Sequence, residues 1–325
     1  MLFEKTVLSR YRAATFCRYD DTGVARYFGP GDFPGLKAEP VHFRNKYGDP
    51  LAGWFYSYEN PKEDRIIVFD HGIGGGHRSY MKEIALLAGE GYRVFAYDHA
   101  GCMASGGDGA RGLSGSLADL DYAIFYLNEA RKIRDDQISV VGHSWGGFAA
   151  LNISRYHPFL SHVIAISGYL SLPRIAESQI PGLLKPFAKS LVRPILELER
   201  ETNPGYADSD ALSSLAGSGA KTLLIYSDND PLIRKPLHYD PLYEAFESRK
   251  DFTFLLEKGK LHNPNYTREA AAYLSEFTGD LTQKAKRGLL KTEEQREEFR
   301  SSWDWDRMTE QDPAVWDVIF RHLAG

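Results

Sequence analysis

Cysteine is scarce in this chain: 325 residues contain two, Cys17 and Cys102. They make no metal-ligand spacing and cannot build a disulfide framework, which fits a reducing compartment. Long apolar runs are missing too. Residues 1–20 are interrupted by Glu4, Lys5, Arg10, Arg12 and Arg18, so nothing there reads as a signal peptide. No stretch approaches the length of a membrane span, and a soluble cytoplasmic protein is expected. Neither sign of charge dominates. The 39 Lys and Arg against 44 Asp and Glu leave a net −5, with no basic field to attract nucleic acid or anionic lipid. Internal repeats and low-complexity segments are also absent. What remains is ordinary for a globular chain, with 43% hydrophobic and 26% charged residues. This length can bury a sizeable core, as one large domain with insertions or as two small ones.

The first 35 residues read as a mixed arm with an amphipathic helix near 2–16. A loop follows at Gly29-Pro30-Gly31 and Pro34-Gly35. Residues 38–43 and 51–57 flank the turn Lys46-Tyr47-Gly48-Asp49-Pro50 as a hairpin-like pair. The run Arg65-Ile66-Ile67-Val68-Phe69-Asp70 suits a strand buried on both faces. Further strands are expected at 92–97, 137–141, 162–166, 221–226 and 252–256. Helices are expected between them, at 79–90, from Ser116 onward and from Trp145 to Pro158. Ser116 and Asp119 suggest a capping box, and Leu117, Leu120, Ile124 and Leu127 share one helical face. Strands alternating with helices imply an α/β fold with a mainly parallel sheet covered on both faces. The first hairpin supplies an antiparallel edge.

Between 172 and 217 the alternation stops. Pro173, Pro181, Pro186, Pro194 and Pro204 punctuate short helical stretches, to which Leu183, Leu184, Phe187, Leu191, Ile195 and Leu198 give an apolar face. This segment reads as a helical cap inserted in a core of residues 1–171 and 218–325. Residues 284–300 read as a solvated helix capped by Thr292 and Gln295, and the last helix starts at Asp312-Pro313.

The most informative motif is Gly142-His143-Ser144-Trp145-Gly146, at the junction of a strand and a helix. A G-x-S-x-G in that context is a nucleophile elbow, a sharp strained turn that lifts the serine hydroxyl clear of the sheet. Side chains at 142 or 146 would collide with neighbouring backbone, and Ser144 is expected at positive φ. Serine needs a base to take its proton and a carboxylate to orient that base. In such folds the order along the chain is Ser, then acid, then His. Ser227-Asp228-Asn229-Asp230 follows one later strand, and Gly259-Lys260-Leu261-His262 follows the last.

On these motifs the chain resembles the α/β-hydrolase superfamily, in particular its serine-aminopeptidase-like and monoglyceride-lipase-like members, from about residue 36 onward. The resemblance implies an α/β-hydrolase fold with Ser144 as nucleophile and His262 as base. Its acid loop, G-x-x-D-x-x-hydrophobic, assigns the acid to Asp230, with Asp228 as the rival. Ser227 departs from that pattern by replacing the glycine. The oxyanion hole is expected to use the Trp145 N–H and, from the loop His71-Gly72-Ile73-Gly74-Gly75-Gly76, the Ile73 N–H. That loop lacks the Lys-Ser/Thr of a P-loop and dinucleotide-fold spacing. His71, His77, His99 and His143 read as structural, and Asp98-His99-Ala100-Gly101-Cys102-Met103 as a structural loop.

The expected activity is acyl transfer on a carboxylic ester of small to medium apolar chain, with no metal or organic cofactor. The cap offers Leu, Ile and Phe and no evident anion cradle. Release of an N-terminal residue from a short peptide is the alternative enzyme reading. It needs a carboxylate to hold an ammonium; Glu177, Glu197, Glu199 and Glu201 are candidates, although all four read as solvent-facing. A catalytically silent binding protein on the same fold is the alternative of another class. An Asp-nucleophile dehalogenase or epoxide hydrolase is disfavoured, because the elbow carries Ser.

Overall fold

The structure is a computed structural model that describes residues 2–62, 65–180 and 182–325. Eight strands form one sheet: β1 (Lys37–Arg44), β2 (Pro50–Ser57), β3 (Ile66–Asp70), β4 (Arg93–Tyr97), β5 (Ile138–His143), β6 (His162–Ile166), β7 (Lys221–Ser227) and β8 (Phe252–Glu257). Their spatial order is β1-β2-β4-β3-β5-β6-β7-β8. β2 pairs antiparallel with both β1 and β4, and every other pairing is parallel. The expected mainly parallel sheet with an antiparallel edge is present.

The strand sequences explain why the sheet is covered on both faces. Every residue of β3, β5 and β6 is buried, as near-continuous apolar runs require. Because side chains alternate, Val68, Val140, Val163 and Leu224 enter one core. Ile67, Val141, Ile164 and Leu223 enter the other. Thirteen α-helices occur among the described residues. In chain order α1 is Leu2–Thr15, α2 Met81–Gly89, α3 Gly115–Arg131, α4 Trp145–Ile153, α5 Leu172–Ser178, α6 Ala188–Thr202 and α7 Ala211–Ala216. After β7 come α8 (Lys235–His238) and α9 (Asp240–Phe246), and after β8 α10 (Arg268–Lys286), α11 (Glu293–Ser301), α12 (Trp305–Met308) and α13 (Pro313–Ala324). Side chains of α3, α4, α7 and α9 fill the first core; those of α2 and α10 to α13 fill the second. No helix among the described residues is long and apolar enough to cross a membrane.

Three local expectations change. First, α3 starts at Gly115 with Ser114 as its N-cap, so Ser116 and Asp119 are interior positions and not a capping box. Tertiary partners claim both side chains. The Ser116 hydroxyl donates to the Trp145 carbonyl at 3.1 Å, and Asp119 accepts from Asn45 and from the Ala100 N–H, each at 2.9 Å. Second, the apolar face of the 172–217 segment is split. Leu191, Ile195 and Leu198 of α6 are buried, whereas Phe187 is 63% exposed. The Leu183 side chain lies outside the described residues. Third, Glu199 is fully buried and not solvent-facing. By contrast, Thr292 and Gln295 form the expected capping box at α11, and Asp312 caps α13 through the Ala314 N–H.

Glu199 explains how the segment between β6 and β7 is fastened. Its carboxylate accepts from the Leu113 N–H at 2.7 Å, the Ser114 N–H at 3.1 Å and the Ser114 hydroxyl at 2.5 Å. The Tyr11 hydroxyl of α1 donates to it as well, so the N-terminal arm, α6 and the start of α3 meet at one carboxylate. The base of the segment is closed by an antiparallel bridge between Ser171 and Asp210. Glu199→Ala would leave several buried donors unpaired, a loss of roughly 3–5 kcal/mol. Urea unfolding followed by circular dichroism should record that loss, and a smaller one for Glu199→Gln, which keeps an acceptor.

Candidate active site

The turn between β5 and α4 leaves no room for side chains. A Cβ on Gly142 would lie 2.2 Å from the Gly146 carbonyl oxygen, and one on Gly146 would lie 2.1 Å from the Asp70 carbonyl oxygen. Ser144, between them, has φ 57° and ψ −108°, outside the regions an L-residue adopts freely. Such a conformation costs on the order of 1–3 kcal/mol and persists where the surroundings over-determine it. Here the Ser144 N–H donates to the Ile166 carbonyl of β6 at 2.9 Å, and its carbonyl accepts from the Phe148 N–H of α4 at 2.9 Å.

The loops after β7 and β8 meet the elbow. His262 Nε2 lies 2.9 Å from Ser144 Oγ, and His262 Nδ1 lies 2.7 Å from Asp230 Oδ2. The other oxygen of Asp230 accepts from the N–H groups of Leu232 at 2.8 Å and Ile233 at 2.9 Å. The Asp230 side chain is fully buried while that of His262 keeps 19% exposure. Burial alone would raise the Asp230 pKa. The bond and charge of His262, with the two backbone donors, outweigh it and hold the carboxyl below its ordinary value. An imidazole between a hydroxyl and an ionised buried carboxylate can take the hydroxyl proton, and the carboxylate stabilises the imidazolium that results.

Side chains of the acid loop splint the histidine loop. Asp228 is exposed and accepts from the Gly259 N–H at 2.9 Å. Asn229 Oδ1 accepts from the Leu261 N–H at 3.0 Å, and the Ser227 hydroxyl accepts from the Lys260 N–H at 3.2 Å. The Ser that replaces the usual glycine therefore has a partner, and Asp228 engages backbone, not the imidazole. Lys260 is buried, with its ammonium 2.7 Å from Asp312 and 2.8 Å from Glu257. Nothing local in the sequence signals the pairing with Asp312, 52 residues away.

A second connection was not legible in the motifs. The Gly72 N–H donates to the Tyr80 hydroxyl at 3.1 Å, and that oxygen lies 2.9 Å from His143 Nδ1. His143 Nε2 lies 2.9 Å from the His262 carbonyl oxygen. A carbonyl only accepts, so Nε2 carries the proton and Nδ1 accepts from Tyr80. Burial, then the neighbouring His262 charge, lowers the His143 pKa to about 3, which keeps the ring neutral. One chain of hydrogen bonds thus joins the loop after β3, the residue before Ser144, and the backbone of His262.

The Asp70 and His71 carbonyls lie directly against Gly146. Ile73 is two residues further along this loop and half-buried, and Trp145 is buried at the start of α4 with its indole donating to the Leu113 carbonyl at 2.8 Å. Beneath the loop, His99 bonds Asp70 on one side and Asp119, 3.3 Å away, on the other, all three buried. The His99 N–H donates to His71 Nε2 at 3.0 Å, so His71 Nδ1 carries the proton and donates to the Gly72 carbonyl at 2.8 Å. His77 is held by Asp98 at 2.8 Å and Tyr56 at 2.9 Å. No group of three His, Cys, Asp or Glu among the described residues could hold a metal ion.

Burial opposes the charged form of His99, yet the adjacent Asp70 and Asp119 outweigh it and raise the pKa to about 9. A pKa raised above the unfolded value of about 6.5 contributes stability that is fully present below that value and is lost as pH climbs through 9. The unfolding free energy should therefore decline between about pH 7 and 9.5, and His99→Gln should flatten that slope in urea titrations at each pH. Tyr80→Phe removes an acceptor from Gly72 and a donor from His143. It should lower the unfolding free energy by about 1–3 kcal/mol in the same assay.

Known proteins resemble this one in sequence and in shape. A proline iminopeptidase of Saccharolobus solfataricus is 29% identical over 161 residues, covering 48% of this chain and 51% of the relative. The chain thus spans about half the length of that curated relative. An esterase of Pyrococcus furiosus superposes with a TM-score of 0.57 at 18% identity, over 81% of this chain and 96% of that one. A puromycin-hydrolyzing peptidase of Mycobacterium tuberculosis does so with a TM-score of 0.54 at 18% identity, over 70% of this chain and 36% of that one. At such identities the two likenesses show a shared fold alone. The sequence model of the alpha/beta hydrolase family matches residues 67–278, most of the sheet with the elbow and both later loops, and the chain belongs to that family.

Proposed function

We propose that the protein is a serine hydrolase that cleaves a carboxylic ester of small to medium acyl chain through an acyl-enzyme. The observation that carries this reading is the line Asp230–His262–Ser144, at 2.7 and 2.9 Å, ending on a serine with φ 57°. In the proposed cycle Ser144 Oγ attacks the ester carbonyl carbon while His262 Nε2 takes its proton. The carbonyl oxygen becomes an oxyanion facing the N–H groups of Ile73 and Trp145. Loss of one such donor typically costs about 3–4 kcal/mol of barrier lowering. The intermediate collapses, the C–O bond to the alcohol breaks, and His262 protonates the leaving oxygen. Water then attacks the acyl-Ser144 ester with the same base, releasing the acid and restoring the serine. Every step uses groups of the chain and water.

The helices of residues 172–217 act in this proposal as a cap over Ser144. Their link to the core through Glu199 and the Ser171–Asp210 bridge supports a cap of defined position. One relative is named a proline iminopeptidase, so release of an N-terminal residue is the competing reading. It needs a free carboxylate for the substrate ammonium. Glu199 is already committed to Leu113, Ser114 and Tyr11, and Glu177 shares a groove with Arg174, Lys185 and Arg234. Glu177 and Glu201 are exposed and form no ion pair among the described residues, so they are the carboxylates a peptidase would use.

A fluorophosphonate probe should label the wild type and leave Ser144→Ala unlabelled, with both proteins folded by circular dichroism. Hydrolysis of 4-nitrophenyl butyrate should fall by roughly 10⁴–10⁶ in Ser144→Ala or His262→Ala, and by about 10⁴ in Asp230→Asn. Asp228→Asn should cost far less, and the reverse order would overturn the assignment of the acid. Faster turnover of aminoacyl-nitroanilides than of 4-nitrophenyl esters would favour the peptidase. An unlabelled Ser144 would leave a silent binding protein.

A further inference from the structure

The walls of one groove come from the loops that follow β6 and β7, at the C-terminal edge of the sheet where α/β folds bind ligands. Its volume is about 560 Å³, and its charged lining residues are Arg174 of α5, Glu177, Lys185 and Arg234. Three cations therefore face one carboxylate. Among the described residues no carboxylate forms an ion pair with any of the three. Arg174 reaches only the Leu237 carbonyl, at 3.4 Å, and Arg234 only the Ser178 carbonyl, at 3.1 Å, among the described residues. By contrast, Arg18, Arg93, Arg111, Arg131, Arg249 and Arg307 pair with carboxylates, and in all about half of the described arginines outside the groove do so.

A buried histidine lies next to the groove in the chain. His238 follows Pro236 and Leu237, both of which line the groove, and it is fully buried. Its Nδ1 accepts from the Leu170 N–H at 3.3 Å, so Nε2 carries a proton, and that atom has no partner among the described residues. Burial, then the charge of Arg174, lowers the His238 pKa to about 4; Arg234 acts in the same sense and Asp230 against them. Both arginines and the acid of the candidate site thus act electrostatically on one ring. Arg234 itself starts where the Asp230 turn ends, one residue after the Ile233 N–H that the carboxylate accepts.

We infer that this groove is a carboxylate-binding subsite, and that the ester cleaved at Ser144 carries a negative charge held by Arg174, Lys185 and Arg234. The inference rests on the ester-hydrolase reading and narrows its substrate class. It departs from the expectation that the cap offers no evident anion cradle. Arg174 and Lys185 are separated in sequence by a proline-broken stretch and Arg234 lies beyond β7, so only the fold assembles them. Guanidinium forks recognise carboxylates through paired charge-assisted hydrogen bonds.

The test compares esters that differ only in charge. Mono-4-nitrophenyl adipate and 4-nitrophenyl hexanoate share an acyl length; 4-acetoxybenzoate and its methyl ester place the charge on the leaving group. With spontaneous hydrolysis subtracted, the anionic member of at least one pair should have a kcat/KM tenfold or more above the neutral member. That ratio should fall with added 0.5 M salt, at which a charge pair is screened within about 4 Å. Arg174→Gln and Arg234→Gln should each lower it about tenfold, and Lys185→Gln should lower it without risk to packing, being exposed. Ratios at or below one in both pairs, or ratios unmoved by all three substitutions, overturn the inference. Calorimetric titration with monomethyl adipate separates the two readings. Binding that the Arg174→Gln/Arg234→Gln double variant abolishes supports the subsite even if Ser144 resists fluorophosphonate. Absence of binding, with Ser144 labelled, removes the subsite and leaves the ester hydrolase.

Discussion

The backbone-to-backbone contact between the β5–α4 turn and the end of β3 controls the rest of the site. Gly146 sits so close to the Asp70 carbonyl that a single added carbon would lie 2.1 Å from it. That proximity forces the chain to turn within one residue, and Ser144 takes up the strain at φ 57°. The same contact brings the loop after β3 alongside the first turn of α4. A serine with its hydroxyl lifted off the sheet and a glycine-rich loop beside it are two results of one steric constraint. The constraint holds because β3 and β5 are paired neighbours, with Asp70 opposite Gly142.

Around this fixed point, polar bonds align segments that are far apart in sequence. Backbone donors of the histidine loop are taken up by Ser227, Asp228 and Asn229. Tyr80 and His143 connect the Gly72 N–H to the His262 carbonyl. Beneath the loop after β3, the imidazole of His99 is shared by two buried carboxylates. Buried polar groups are expensive unless satisfied, so each network specifies one arrangement of its loops. The three loops are held by different side chains, and Ser144 is held by backbone to β6 and α4.

The helices between β6 and β7 serve two physical roles. Leu191, Ile195 and Leu198 bury the inner face of α6, and Glu199 ties it to the start of α3 and to the N-terminal arm. The other end of the segment, with Arg174 and Lys185, meets the loop after Asp230 and lines a groove with it. Hydrophobic burial thus anchors one part and leaves charge on the other. A segment whose helical stretches share one apolar face in the sequence is divided by its packing.

The sequence by itself determined the sheet, its antiparallel edge, the elbow, and the order of Ser144, Asp230 and His262 along the chain. These features are legible because they are local: apolar runs of strand length, glycines at a forced turn, and turn residues after each strand. The choice between Asp228 and Asp230 needed the resemblance to a family, since both follow the same strand. In the structure, Asp230 meets the imidazole and Asp228 the Gly259 N–H. Tertiary structure alone decided the side chains whose partners lie far away in sequence. Glu199 looked like any helix-surface glutamate until Leu113, Ser114 and Tyr11 surrounded it. Ser116 and Asp119 matched a cap pattern, but the Trp145 carbonyl, Asn45 and Ala100 competed for them and won. The physical reason is common to all three. A polar side chain takes whichever partner the fold brings within about 3 Å, and periodicity along a helix carries no information about the element across from it.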